Sequence, residues 1–194
     1  MTSPHSSPRV PAIFLDRDGT IIEEKVYLAD PNKVVIFPGV GRALRQLREA
    51  GFRLFIVTNQ SGIGRGYYTL ADMEAVNKRV LEQLATDGAN FEKVYFAPEA
   101  PEQPSRGRKP SPQFLLDARD EFNVDLARSY MIGDKLLDVE CGRNAGVARS
   151  LLVRTGYGGE LEKHSPEKLQ HATVVNGIPE AAVWILQDSG FTQA

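Results

Sequence analysis

Residues 13–20 read Ile-Phe-Leu-Asp-Arg-Asp-Gly-Thr, an apolar run that ends in two carboxylates one residue apart. Side chains on a strand alternate with period two, so Asp16 and Asp18 are expected to leave the strand tip on the same side. Two such carboxylates repel unless a cation sits between them, and a hard divalent ion with oxygen ligands, Mg²⁺, suits that task. Gly19 allows a sharp turn after the strand, and Thr20 is expected to tie that turn down through its hydroxyl. An acidic turn after a buried strand is the plainer alternative, and the rest of the chain decides between them.

Further strands are expected at 53–58, 93–97, 129–132 and 148–153, with the first extending back to Val10. Between them, Val40, Ala43, Leu44, Leu47 and Ala50 repeat at helical spacing, with Gly51 as a C-terminal stop. Met73, Val76, Val80 and Leu84 form a second stripe, with Thr69 placed to cap it. Ser111-Pro112 reads as an N-cap followed by Pro at the first helical position, opening a helix with Phe114, Leu115, Ala118 and Phe122. A fourth helix runs from about Leu136 to Ala145. The stretch around Gly156-Tyr157-Gly158-Gly159 reads as a loop without chemistry, leading to a last helix near 181–186.

Strand–helix alternation argues an α/β fold: a three-layer, Rossmann-like sandwich with a central parallel sheet. In such sheets ligands bind beyond the carboxyl ends of the strands, near the switch in strand order. Polar residues gather there. Asp16 and Asp18 follow the first strand, and Thr58-Asn59-Gln60-Ser61-Gly62 ends the second, with hydroxyls and amides suited to a phosphate. A proline-rich loop after the third strand closes with Arg108-Lys109-Pro110, where Lys109 can hold Asp16 as an anion. Gly133-Asp134 ends the fourth, and Asp138 lies one helical turn on, placed to orient Asp134 from behind. An N-cap role for Asp134 is the structural alternative. Gly62-Ile63-Gly64-Arg65-Gly66 lacks the spacing and position of a dinucleotide fingerprint, so it reads as a loop tipped by Arg65.

Composition narrows the classes. Basic residues number 23 against 25 acidic, a net charge of −2, which gives no polyanion-binding surface and argues against a nucleic-acid partner. Cys141 is the single cysteine, so no intrachain disulfide forms; a buried inert thiol is expected in a reducing, cytoplasmic setting. No run reaches the length of a membrane span. Residues 1–9, rich in Ser and Pro, read as a disordered tail rather than a signal peptide, and 10–190 as a single domain.

In chain order, D-x-D-G-T, a strand-ending Thr, a Lys and G-D-x-x-x-D resemble the haloacid-dehalogenase (HAD) superfamily of phosphotransferases. The resemblance implies an HAD-like fold, with Asp16 as nucleophile and Asp18 as general acid/base. It implies that Thr58 and Lys109 bind the phosphoryl oxygens, and that Mg²⁺ sits on Asp16, the backbone carbonyl of Asp18, and Asp134. An acid at position 18 favours phosphate hydrolysis over the superfamily's dehalogenases and ATPase pumps. The intervals Asp18–Thr58 and Thr58–Lys109 are filled by ordinary elements, so no separate cap domain is expected.

Within the superfamily, the strings at 14–20, 58–63, 65–66, 108–110 and 131–135 resemble the heptose 1,7-bisphosphate 7-phosphatase and histidinol-phosphatase branch. That branch implies substrate contacts from Asn59, Gln60, Ser61, Arg108 and Lys135, with Arg65 as a further candidate. It also usually carries a structural zinc loop. Here its ligand positions fall on Ala97, Glu99, Ser105 and Gly107, one carboxylate without thiol or imidazole, so no structural zinc is expected. The expected partner is a small phosphorylated metabolite, the assembly a monomer or weak homo-oligomer. Arg65, Arg108 and Lys135 lean toward a bisphosphate substrate. Histidinol phosphate competes if Glu23, Glu24 and Glu99 form an acidic pocket for its amine, and other small sugar phosphates stay open. A DNA 3′-phosphatase, which shares the string after Thr58, and a non-catalytic phospho-ligand module are remoter alternatives.

Overall fold

Apolar alternation on the strands separates two hydrophobic faces, and the helices divide between them. The computed structural model describes residues 8–191; part of the expected tail, residues 1–7, lies outside them. Six strands form one parallel sheet: β1 Ala12–Leu15, β2 Arg53–Asn59, β3 Lys93–Ala97, β4 Tyr130–Gly133, β5 Arg149–Val153 and β6 Ala172–Val175. Their order across the sheet is β3-β2-β1-β4-β5-β6. Successive strands run outward from β1 to β3, then return beside β1 as β4, which puts the switch point between β1 and β4. That crevice is where an open parallel sheet binds its ligand.

Ile13 and Leu15 of β1 and Leu54 and Ile56 of β2 face one side, covered by α1 Val40–Glu49, α2 Leu70–Thr86 and α6 Ile178–Asp188. Phe14, Phe55, Val57 and Met131 face the other, covered by α3 Gln113–Phe122 and α4 Leu136–Ala145. Phe14 and Phe55 stack with ring centroids 5.3 Å apart in that second layer. Each large apolar side chain so buried contributes about 1.5–3 kcal/mol. α5, Gly158–His164, flanks β5.

Five strands and the helices α1 to α4 stand close to their expected bounds. Val10 makes an isolated bridge to Val124 instead of extending β1. β6 and α5 are additional, and α6 is longer than expected. Thr69 caps α2 in a reciprocal box with Asp72, its hydroxyl taking the Asp72 N–H at 3.2 Å. Ser111 lies one residue further out than expected: Pro112 is the N-cap of α3, while the Ser111 hydroxyl still accepts from Gln113 N–H at 3.3 Å. Cys141 is buried in α4, and burial pushes its thiol up to about 12. No helix among the described residues is long and apolar enough to cross a membrane.

Candidate active site

β1 ends at Leu15, and the chain enters the crevice through Asp16, whose N–H is held by Ile132 C=O at 2.9 Å. Gly19 then takes φ +79°, and the turn closes through backbone bonds from Gly19 N–H to Ile22 C=O (2.8 Å) and Ile21 N–H to Arg17 C=O (2.9 Å). The Thr20 hydroxyl, expected to brace this turn, is buried and makes no hydrogen bond among the described residues.

The two aspartates part company at once. Lys109 Nζ lies 2.7 Å from Asp16 Oδ1 and 2.6 Å from Asp138 Oδ1, and donates to Val57 C=O at 2.8 Å. All three of these charged groups are buried. Burial pushes the Asp16 carboxyl up, but Lys109 and then Lys135 outweigh it and hold Asp16 below the usual carboxylate range. Burial likewise works against the charge on Lys109, and Asp138 and Asp16 together raise its affinity for the proton instead. Asn59 sets the lysine's backbone, accepting from Lys109 N–H at 3.0 Å and donating to its C=O at 3.2 Å.

Among the described residues Asp18 makes no ion pair with Lys109. Its carboxylate turns to the adjacent guanidinium: Arg17 Nε and Nη2 each donate to it at 3.1 Å. Gln60 Nε2 donates to Asp18 Oδ2 at 2.9 Å and to Thr58 Oγ1 at 2.8 Å. Tyr68 hydroxyl donates to Gln60 Oε1 at 2.7 Å, and burial pushes that phenol up to about 12. The Gln60 amide, expected at the substrate, is therefore spent on its neighbours although it borders the cavity.

The acidic cluster forms instead from Asp16, Asp134 and Asp138, with carboxylate oxygens within 4.8 Å of one another. Asp134 is not the cap of α4: Lys135 is, and Asp138, three residues on, takes the Lys135 N–H on Oδ2 at 2.9 Å. Asp134 Oδ2 accepts from Tyr157 N–H at 2.9 Å, while its Oδ1 is buried and has no hydrogen-bond donor among the described residues. Burial and the charge of Asp16 push Asp134 up to about 8. A buried all-oxygen set with an orphaned carboxylate oxygen fits a hard divalent cation. Gly19 and Gly156 press against the same carboxylate, where a Cβ would lie 2.3 and 2.2 Å from Asp134 Oδ2. Gly156 and Tyr157 are thus site residues that sequence reasoning passed over; a glycine pair around an aromatic was the available signal.

Over this floor lies a cavity of about 410 Å³, bordered by Asp18, Glu24, Tyr27, Asn59, Ser61, Tyr68, Lys135 and Tyr157 among others. Its outer wall is the segment after Gly19, folded back by Glu23 N–H to Val35 C=O at 2.9 Å and Phe37 N–H to Ile21 C=O at 3.1 Å. Lys135 Nζ reaches Glu24 at 3.1 Å and sits 4.9 Å above the Tyr157 ring. Arg108 and Arg65 do not border this cavity. Arg108 Nη1 donates to Glu99 C=O at 3.2 Å, and Arg65 pairs with Glu102 at 3.6 Å. The loop curls back on itself because Ser105 hydroxyl donates to Glu99 Oε2 at 2.6 Å and accepts from Arg108 N–H at 3.2 Å. Glu99 and Ser105 are two of the positions where a zinc loop would carry ligands.

A HAD-hydrolase-like family model matches residues 107–181. The D-glycero-beta-D-manno-heptose-1,7-bisphosphate 7-phosphatase of Escherichia coli K12 is 42% identical over 154 residues, 76% of this chain and 81% of the relative. The D-glycero-D-manno-heptose-1,7-bisphosphate 7-phosphatase of Chlorobaculum tepidum is 42% identical over 167 residues, 78% and 83%. The crystal structure of D,D-heptose 1,7-bisphosphate phosphatase from B. bronchiseptica, complexed with magnesium and phosphate, superposes with a TM-score of 0.83 at 29% identity, covering 92% of this chain and 99% of that one.

Proposed function

The chain belongs to the D-glycero-D-manno-heptose-1,7-bisphosphate 7-phosphatase family of HAD-like hydrolases, and on that premise we propose that it removes the 7-phosphate of the heptose bisphosphate through an aspartyl-phosphate at Asp16. The observation that carries this reading is the Lys109–Asp16 ion pair at 2.7 Å at the switch point, with a second acid two residues on. Lys109 keeps Asp16 an anion in a buried site, the state a nucleophilic carboxylate needs.

Asp16 attacks phosphorus as the P–O bond to the sugar breaks, and Asp18 gives its proton to the departing alkoxide. Asp18, now a carboxylate, takes a proton from water as that water attacks the phospho-aspartate, freeing phosphate and restoring Asp16. Thr58 hydroxyl binds an equatorial oxygen during both transfers, and Lys109, whose three N–H groups meet Asp16, Asp138 and Val57 C=O, turns one of them to the phosphoryl group. Asp16, Asp134 and the Asp18 backbone carbonyl would hold Mg²⁺, with Asp138 behind Lys109; the ion supplies charge neutralisation for the in-line transfer. Residues 10–190 act as one catalytic unit, and the 98–108 loop works without zinc, the Glu99–Ser105 hydrogen bond standing between two ligand positions.

Asn59 serves the site through the Lys109 backbone, while Ser61 and Lys135 meet the sugar phosphate in the cavity. Arg108 and Arg65 stand outside the cavity lining and reach a substrate's distal phosphate only by leaving Glu99 C=O and Glu102. Histidinol phosphate is less favoured, because the glutamates that would receive its amine are engaged: Glu23 by Lys25 at 3.8 Å, Glu24 by Lys135 at 3.1 Å and Glu99 by Ser105 at 2.6 Å. The reading is tested by kcat/KM on heptose 1,7-bisphosphate, fructose 1,6-bisphosphate and histidinol phosphate with Mg²⁺ present. The heptose bisphosphate is expected to lead by about 10-fold or more, as expected when a site's buried polar groups are paired only by the right substrate. Equal or better turnover of histidinol phosphate would overturn the assignment.

A further inference from the structure

Arg17 heads the largest fully buried side chains of the protein at 1% exposure. A buried guanidinium costs several kcal/mol unless its donors are matched, and here each end of the fork has a partner. Nε and Nη2 bind the two oxygens of Asp18, Nη2 also donates to Gln60 Oε1 at 2.9 Å, and Nη1 to Asn77 Oδ1 at 2.7 Å. Asn77 projects inward from α2, where its Nδ2 meets Met73 Sδ at 2.8 Å. An arginine only donates, so it fixes which way the Gln60 amide points: oxygen toward Arg17 and Tyr68, NH₂ toward Asp18 and Thr58. Reversing the amide would set its NH₂ against the guanidinium. Asp18 therefore meets three donors on two oxygens, held from the turn after β2 and, through Asn77, from α2. A lone turn residue would sample several rotamers, and a misplacement of about 1 Å at a reacting group costs on the order of 100-fold in rate.

We propose that Arg17, Gln60 and Tyr68 are positioning residues for Asp18, fixing its carboxyl toward the leaving-group oxygen. The inference rests on Asp18 being the proton donor. It predicts damage specific to leaving groups that need a proton. The sugar bisphosphate expels an alkoxide, whereas p-nitrophenyl phosphate expels a stabilised phenolate that departs unprotonated. The ratio of kcat/KM on these two substrates cancels the folded fraction and any uniform loss of phosphoryl binding. Since Arg17, Gln60 and Tyr68 also border the cavity, KM and kcat for the sugar bisphosphate are read separately, and a fall in the ratio carried by kcat rather than KM marks the positioning role.

Arg17→Lys keeps the charge but loses the fork, and Tyr68→Phe removes one donor to the amide. The ratio is expected to fall about 10-fold in Arg17→Lys, about 3-fold in Tyr68→Phe and about 100-fold in Asp18→Asn, within the range of general acid catalysis. A collapsed ratio in Asp18→Asn with wild-type ratios in the other two variants would overturn the positioning role alone. An unchanged ratio in Asp18→Asn would overturn the acid assignment beneath it.

Discussion

Asp16 and Asp18 stand two residues apart, yet they are secured by opposite means. Around Asp16 the protein places full charges in a dry interior: Lys109 between Asp16 and Asp138, and Asp134 close by. Around Asp18 it places one buried guanidinium, Arg17 at 2.9 Å, whose fork is matched by neutral amides and a phenol, Gln60, Asn77 and Tyr68. The difference matches the tasks. A nucleophile must stay anionic, and a buried cation at 2.7 Å does that. A group that gives up and retrieves a proton needs a fixed direction, which the planar guanidinium fork and the amide of Gln60 provide.

That contrast breaks most visibly at Lys109. Lys109→Met leaves Asp16 and Asp138 buried without their shared cation, and removing one partner of a buried pair typically costs about 3–5 kcal/mol. Urea unfolding is expected to show a loss of that size, with phosphatase activity down by about 100-fold or more as the phosphoryl clamp goes too. A variant with wild-type stability would mean that the charged half is not held by Lys109. The counterpart on the Asp18 side, Arg17→Lys, is expected to cost less, because it retains the charge and gives up only geometry.

A smaller effect sharpens the electrostatics of the charged half. Asp134 is raised to about 8 from an ordinary 3.8 by burial and then by Asp16. Its folded state therefore binds a proton more tightly than the unfolded chain, and this group's contribution to stability falls as pH rises from about 4 to about 8. The cation competes with that same proton. Apparent Mg²⁺ affinity, measured by calorimetry on metal-free protein, is expected to rise with pH up to about 8 and level off above it. A pH-independent affinity between 6 and 8 would show that Asp134 is already ionised without the metal.

The two halves were also unequally legible in the sequence. Asp16, Lys109 and Asp134 stand next to strand ends that apolar runs mark clearly, and a charge at the mouth of a parallel sheet has few other reasons to be there. Arg17 was hidden as the variable residue inside D-x-D. Its partners Gln60 and Asn77 lie 43 and 60 residues away, and Asn77 looks like any polar residue on a helix until α2 turns it inward. Gln60 sat in a string that suggested substrate contact, and only the fold shows its amide consumed by Arg17, Tyr68, Thr58 and Asp18. The same limit applied to β6, a four-residue edge strand only partly buried, and to α5, which opens on Gly158-Gly159, poor helix formers that read as loop. Tyr157 gained its place from tertiary contact alone, its N–H on Asp134 and its ring beneath Lys135.

The central claim is that phosphate passes through Asp16. Millisecond acid quench of Mg²⁺-loaded enzyme with substrate labelled in the 7-phosphate, followed by borohydride reduction and peptide mapping, tests it directly. The account predicts label on the quenched enzyme before reduction, homoserine at position 16 in the peptide map once reduction has released the phosphate, and no label in Asp16→Asn. Phosphate released in full with no labelled enzyme at any quench time, or label that persists in Asp16→Asn, would contradict it.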